Sequence, residues 1–213
     1  MLESVQPVPS LSHLQAPIAP PPIAPQPSPI RYRVLQGLER YDEVLALRRE
    51  AFGVGHLAVT LADPRDRQAS LIAALSGTRI IATLRLTPPL PGPLFHPATR
   101  FRGRVHELPA RSECLESSRA CIHPDFRGQG LFWQLAAEMV CTARDLGKPY
   151  LVGGADQNLL SFWTRCGFEA AGVTYGYPGG SIEKYRVVVL EVTRVLAGRG
   201  IAPELEQALA ARE

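Results

Sequence analysis

The chain has 213 residues and a formal net charge of +3, with 46% hydrophobic and 20% charged residues. That balance describes an ordinary soluble globular domain with additions. No apolar run approaches the roughly 20 residues of a membrane-spanning helix, and so small a charge gives no electrostatic footprint for nucleic acid. The four cysteines (Cys114, Cys121, Cys141 and Cys166) have neither CxxC nor metal-ligand spacing. They read as reduced, packed thiols, which implies a reducing, cytoplasmic location and no metal.

Residues 1–29 hold nine of the twenty prolines and a single charge, Glu3. They read as a disordered or polyproline-like leader, with no basic segment ahead of an apolar core to make a secretory signal. Residues 30–35 alternate apolar and polar side chains, as a half-buried strand does. Residues 38–52 carry an amphipathic stripe of Leu38, Tyr41, Val44, Leu45, Leu47 and Phe52, with Arg48 and the other charges mostly outside it. Asp63-Pro64-Arg65-Asp66 reads as a turn. Strands over 70–75 and 79–86 follow, joined at Gly77. The proline-rich stretch 87–110, with His96 and His106, is too long for a simple hairpin. Two histidines ten apart make no metal site, so this stretch is either a substrate-contacting loop or a solvated insertion.

Residues 113–122 predict a strand in which Glu116, Ser118, Ala120 and Ile122 share one face, and Ser117 and Arg119 the other. A carboxylate among small apolar neighbours is a candidate general base; the alternative is a structural ion pair. The strand runs into His123-Pro124-Asp125-Phe126-Arg127-Gly128-Gln129-Gly130-Leu131, and a helix over 131–146 follows. Two glycines one residue apart at a helix start let the backbone approach an anion, and the helix terminus offers unpaired N–H groups. Arg127 adds a forked positive charge. A strand over 150–155, a short helix over 159–165, a strand over 172–177, a long β-branched strand over 185–195 and a peripheral helix over 203–212 complete the chain.

The His-Pro-x-aromatic-Arg-x-x-Gly segment, together with Phe162-Trp163-Thr164-Arg165-Cys166-Gly167-Phe168 about 40 residues on, resembles the GNAT-type N-acyltransferases over residues 30–195. The resemblance implies an α+β fold with a mixed, largely antiparallel sheet of about six or seven strands flanked by helices, followed by a 196–213 tail with a short helix. It implies transfer of an acyl group from a thioester, by default acetyl-CoA or another acyl-CoA, to a primary amine of a small molecule or peptide. The donor is a cosubstrate and not a bound cofactor. Ile122, Arg127, Gly128, Gln129, Gly130, Leu131, Asn158, Phe162 and Trp163 would contact it. Glu116 would act as general base, and the enzyme would be a monomer or homodimer.

Three positions depart from the family pattern. Phe132 stands where a small residue is usual. Trp163 replaces the usual proton-donating tyrosine, leaving Tyr175, Tyr177 or Cys166 as candidate acids, with Tyr175 preferred. Asp156 stands in place of an asparagine, with Asn158 two residues later. A narrower similarity, carried by Arg85-Leu86 and Glu116-Ser117-Ser118-Arg119, is to the autoinducer-synthase and N-acyl amino acid synthase branch. That branch takes fatty chains from the phosphopantetheine of acyl carrier protein; Arg85 and Arg119 would then orient a carboxylate on the acceptor. A third reading is a GNAT-like module that binds acyl-CoA without turnover.

Overall fold

The computed structural model describes residues 29–52, 62–91, 95, 99–176 and 184–212. Most of the proline-rich leader, Tyr177 and His96 lie outside the described residues. The elements are β1 (Ile30–Gln36), α1 (Tyr41–Phe52), β2 (Ser70–Ser76), β3 (Arg79–Thr87), β4 (Arg100–Gly103), β5 (Cys114–Ile122), α2 (Leu131–Asp145), β6 (Tyr150–Asp156), α3 (Leu160–Arg165), β7 (Glu169–Gly176), β8 (Tyr185–Glu191), α4 (Val192–Leu196) and α5 (Pro203–Ala210). The strands form one eight-stranded sheet in the order β1-β2-β3-β5-β6-β8-β7-β4. β5 and β6 run parallel and every other neighbouring pair antiparallel. No helix among the described residues is long and apolar enough to cross a membrane.

Helices cover the two faces unequally. On one face, Val44 and Leu47 of α1 pack on Leu35, Leu71, Ala73, Leu75, Ile80 and Cys121. On the other, α2 presents Leu131, Leu135 and Met139, spaced by four, to Ile72, Leu84, Leu86 and Leu115. Each such side chain contributes about 1.5–3 kcal/mol when fully buried. α2 ends in a Schellman motif at Gly147 (φ +63°), with Gly147 N–H donating to Arg144 O and Lys148 N–H to Ala143 O, both at 2.9 Å.

Five elements differ from the sequence expectation; of these, β7 starts at Glu169 and not at residue 172. β4 lies inside the stretch read as a loop and pairs with β7, which brings the sheet to eight strands. Its four residues, with three charges or glycines, carry too short an alternation to register as a strand. The strand expected over 185–195 stops at Glu191, because Val192 N–H bonds back to Pro149 O and the chain turns into α4. Val192 and Val195, three apart, then both face the core, so a β-branched run serves a helix. α5 does not lie at the periphery: Leu205 and Ala208 are buried in the same core as α2. Helix α1 begins at Tyr41, after a turn through Arg40 (φ +51°).

Candidate functional site

β5 and β6 pair only from Cys114 to Ser117 and from Tyr150 to Gly153, although both strands continue beyond those residues. Past Ser117 they diverge. A bulge drives the divergence: the β3 register slips between Thr83 and Arg85, and Arg119 takes φ +56°. The bulge also breaks the expected alternation. Cys121 joins the α1 face, and Arg119 reaches Asp63 on that same face, while Ala120 and Ile122 turn toward the α2 core. Glu116, Ser118 and Arg119 therefore act on one side, not two. A cavity of about 490 Å³ fills the gap between the strands.

One wall of the cavity is a buried ion cluster. Glu116 Oε2 accepts from Arg65 Nη1 at 2.9 Å and from the Phe95 amide at 2.7 Å, and Glu116 Oε1 lies 3.4 Å from Arg85 Nη2. Arg85 also donates to Ser118 Oγ (3.0 Å) and pairs with Asp63 and Asp66, each at 3.0 Å. Asp66 accepts from Arg48 (2.8 Å) and from the Tyr41 hydroxyl (2.8 Å). Burial pushes the Asp63 and Asp66 carboxyls up. The guanidinium groups of Arg65, Arg85 and Arg48 outweigh it, holding Asp63 well below the usual carboxylate range and Asp66 below its ordinary value. Asp63 further caps the 3-10 turn Pro64–Gln68, with the reciprocal Asp66 bond completing a capping box.

Arg48, Asp63, Arg65 and Asp66 were not singled out from the sequence. A signal existed for Arg48, which is fully buried and stands four residues after Val44 on the inward stripe. The charges of the 63–66 turn look like any solvated turn, and only the fold brings them under Arg85.

The glycine turn forms as expected. His123 Nδ1 accepts from Asp125 N–H at 3.2 Å, capping the 3-10 turn Pro124–Phe126, and Gly128 (φ +76°) and Gly130 (φ +74°) lead into α2. A Cβ at either glycine would meet nothing within 4 Å, so the turn faces open space. Arg127 donates to Ile122 O (3.3 Å) and Ala51 O (3.0 Å), and Gln129 to Asp125 O (3.2 Å). Arg127 thus ties the turn to the end of α1. Leu131 is buried under the first turn of α2, and Ile122 is half-buried.

Phe132 leans onto α3. Its ring meets Phe162 at 4.6 Å and Trp163 at 5.3 Å, both edge-on, and Trp163 meets Phe168 at 5.4 Å. The large residue in the glycine motif is thereby absorbed by an aromatic contact between α2 and α3. Trp163 and Asn158 line the cavity; Phe162 does not stand among its lining residues. Asp156 caps the turn before α3, accepting from Asn158 N–H at 3.0 Å.

Tyr175 is buried, lines the cavity, and stacks between Phe95 (4.8 Å) and Tyr185 (5.1 Å). Its hydroxyl lies over Gly154, where a Cβ would come within 1.7 Å of it. Cys166 is fully buried away from the cavity lining, and burial pushes its thiol up to about 12. It is therefore not placed to supply a proton at the site. Burial likewise pushes the Cys114 thiol up to about 11. The 87–110 stretch contributes Phe95 to the cavity and, through Phe95 and Leu108, covers the sheet where α1 does not reach.

Together, the bulged β5, the splayed parallel partner and the glycine turn between β5 and α2 define the fold of the GNAT acyltransferases, as solved structures bear out. The chain is similar to the CoA-dependent acyl-homoserine lactone synthase BjaI, solved with SAM and isopentyl-CoA. The TM-score is 0.58 at 17% identity, over 86% of this chain and 89% of that one. It is similar to an acyl-CoA N-acyltransferase from Pseudomonas aeruginosa, with TM-score 0.55 and 19% identity over 76% of this chain and 99% of that one. FeeM, an N-acyl amino acid synthase from uncultured soil microbes, aligns with TM-score 0.54 and 13% identity over 80% and 95%. No protein-family model and no curated protein sequence matches the chain.

Proposed function

We propose that the protein is an N-acyltransferase that moves an acyl group from an acyl-CoA thioester to the primary amine of a small molecule. The carrying observation is the gap in which β5 and β6 cease to pair while the glycine turn stands at the end of β5. Unpaired strand edges suit an extended, amide-containing arm, which can bond to them as an added strand does. The pantetheine arm has that chemistry. The pyrophosphate would meet the N–H groups at the start of α2, near Gly128, Gln129, Gly130 and Leu131.

In this reading the amine nitrogen attacks the thioester carbon, the C–N bond forms and the C–S bond breaks. Backbone N–H groups at the β5 bulge would stabilise the oxyanion. Glu116 takes the amine proton at Oε1, its less engaged oxygen, directly or through a water. Tyr175 protonates the departing thiolate, a role the Trp163 indole cannot fill.

A narrower acceptor is favoured by the arginines of the cavity wall. Arg65, Arg85 and Arg119 all line the cavity, and a guanidinium is well suited to hold a carboxylate, as on an amine that carries one. Such an acceptor is shared in kind with an N-acyl amino acid synthase.

The test is a thermal-shift and turnover screen with CoA, graded acyl-CoAs, acyl carrier proteins and amines with and without a carboxylate. A donor at 100 times its Kd stabilises by about 2.7 kcal/mol, or about 5–11 °C in a chain of this size. No shift with any of them sinks the proposal. A shift without free thiol from any amine leaves a binding module.

A further inference from the structure

The plane of the sheet divides the cavity into two chemically different halves. Toward α1 its lining includes Arg65, Arg85, Glu116 and Arg119, with Tyr175. Toward α2 and α3 it includes Ser117, Ala120, Gly153, Trp163, Phe168 and Val188. Asp156 and Asn158 stand at that side's rim, in the turn before α3. A hydrocarbon chain placed on the α1 side would strip water from paired guanidinium and carboxylate groups without replacing it. On the α2 side it would exchange water for apolar contact. If the protein is the acyltransferase proposed above, on which this inference rests, the acyl group belongs on the α2 side.

That half has a closed floor. Gly153 is the last β6 residue paired with β5, and it lacks a side chain where the strands part. A Cβ there would meet Ser117 O and Oγ at 3.3 Å and a Val188 methyl at 3.6 Å. The position above Gly153 is thus already filled to contact distance by Ser117 and by Val188, its register partner on β8, and Phe168 lines the same half of the cavity. Val188 and Phe168 are each 1% exposed and belong to the same core as Leu115, Leu151 and Leu190, which are 2%, 0% and 0% exposed. A chain that went deeper would have to displace packed core residues, which protein interiors resist. The 490 Å³ must also hold the end of the thioester arm and the acceptor.

We propose that Gly153 and Val188 set an upper limit on the acyl group, so that the donor is a short-chain acyl thioester and fatty chains are rejected. The test is the chain-length profile of kcat/KM, from acetyl- to dodecanoyl-CoA, for the wild type, Val188→Ala and Gly153→Ala. Each methylene gained or lost against a pocket wall shifts discrimination by about 10-fold or more. The wild type should fall by at least about 10-fold between butyryl and decanoyl donors. Val188→Ala should move the fall to longer chains. Gly153→Ala, whose Cβ requires Ser117 O and Oγ to give by a few tenths of an ångström, should move it to shorter ones.

CoA-induced thermal shifts, read alongside, report whether each variant still folds and binds the donor. A wild type that uses decanoyl-CoA as well as butyryl-CoA overturns the inference. So does an unchanged profile in variants that still bind CoA. If neither CoA nor any thioester raises Tm, the acyl-transfer reading itself fails and the pocket falls with it.

Discussion

Asp66→Asn should be among the most damaging isosteric changes in this protein. Asp66 is fully buried and accepts two bonds from Arg48, at 2.8 and 3.2 Å, one from Arg85 at 3.0 Å and one from the Tyr41 hydroxyl at 2.8 Å. An asparagine keeps the shape but removes the charge, and it turns one acceptor into a donor that faces guanidinium donors. Breaking one partner of a buried pair costs about 3–5 kcal/mol. For a chain of this size that lowers Tm by about 6–20 °C. The loss should depend on pH. Arg48 and Arg85 hold the folded Asp66 carboxyl below its ordinary value of 3.8, despite the opposing effect of burial. A depressed carboxylate stabilises fully above its unfolded value and loses that contribution as pH falls below it. The gap between wild type and variant should therefore be constant from pH 7 to about pH 5 and shrink below the ordinary value of 3.8. Urea unfolding across pH 7 to 2.5 measures it. A gap that stays unchanged at low pH, or a Tm that does not move, would refute the ionic account.

At the site itself, Glu116→Gln should lower kcat by about 10²–10⁴-fold while the CoA-induced thermal shift persists; undiminished turnover removes Glu116 as base. Tyr175→Phe should lower kcat by about 10²-fold with the donor KM little changed, and an unchanged kcat means that the thiolate leaves unassisted. Gly154→Ala should cost about 1–3 kcal/mol, because the new Cβ would lie 1.7 Å from a Tyr175 hydroxyl whose ring is held between Phe95 and Tyr185. A wild-type Tm would show that the ring can move. Gly130→Ala meets no neighbour within 4 Å, so its cost is the φ of +74° alone, about 1–2 kcal/mol or roughly 2–8 °C. It should also weaken CoA, which titration calorimetry would detect.

What the sequence by itself determined is local. The spacing of Leu131, Leu135 and Met139 specifies α2, Gly147 stops it, and the glycine turn follows from two glycines that can take positive φ on either side of Gln129. The two motifs near 123–131 and 162–168 were enough to indicate the fold by their resemblance to a known family, although Arg127 and Trp163 complete their contacts on α1 and α2. What only the tertiary structure decided is non-local. The bulge at Arg119 arises from register against β3 and moves Arg119 onto the face of Glu116, which strict alternation assigns otherwise. β4 becomes a strand only because β7 offers it an edge. Glu116 reads from sequence as a carboxylate among small neighbours in its strand. In the fold it meets Arg65 from a turn 51 residues earlier, Arg85 from the neighbouring strand, and the Phe95 amide. Charges become partners only when burial removes the water that would otherwise solvate each alone, and burial is a property of the whole sheet.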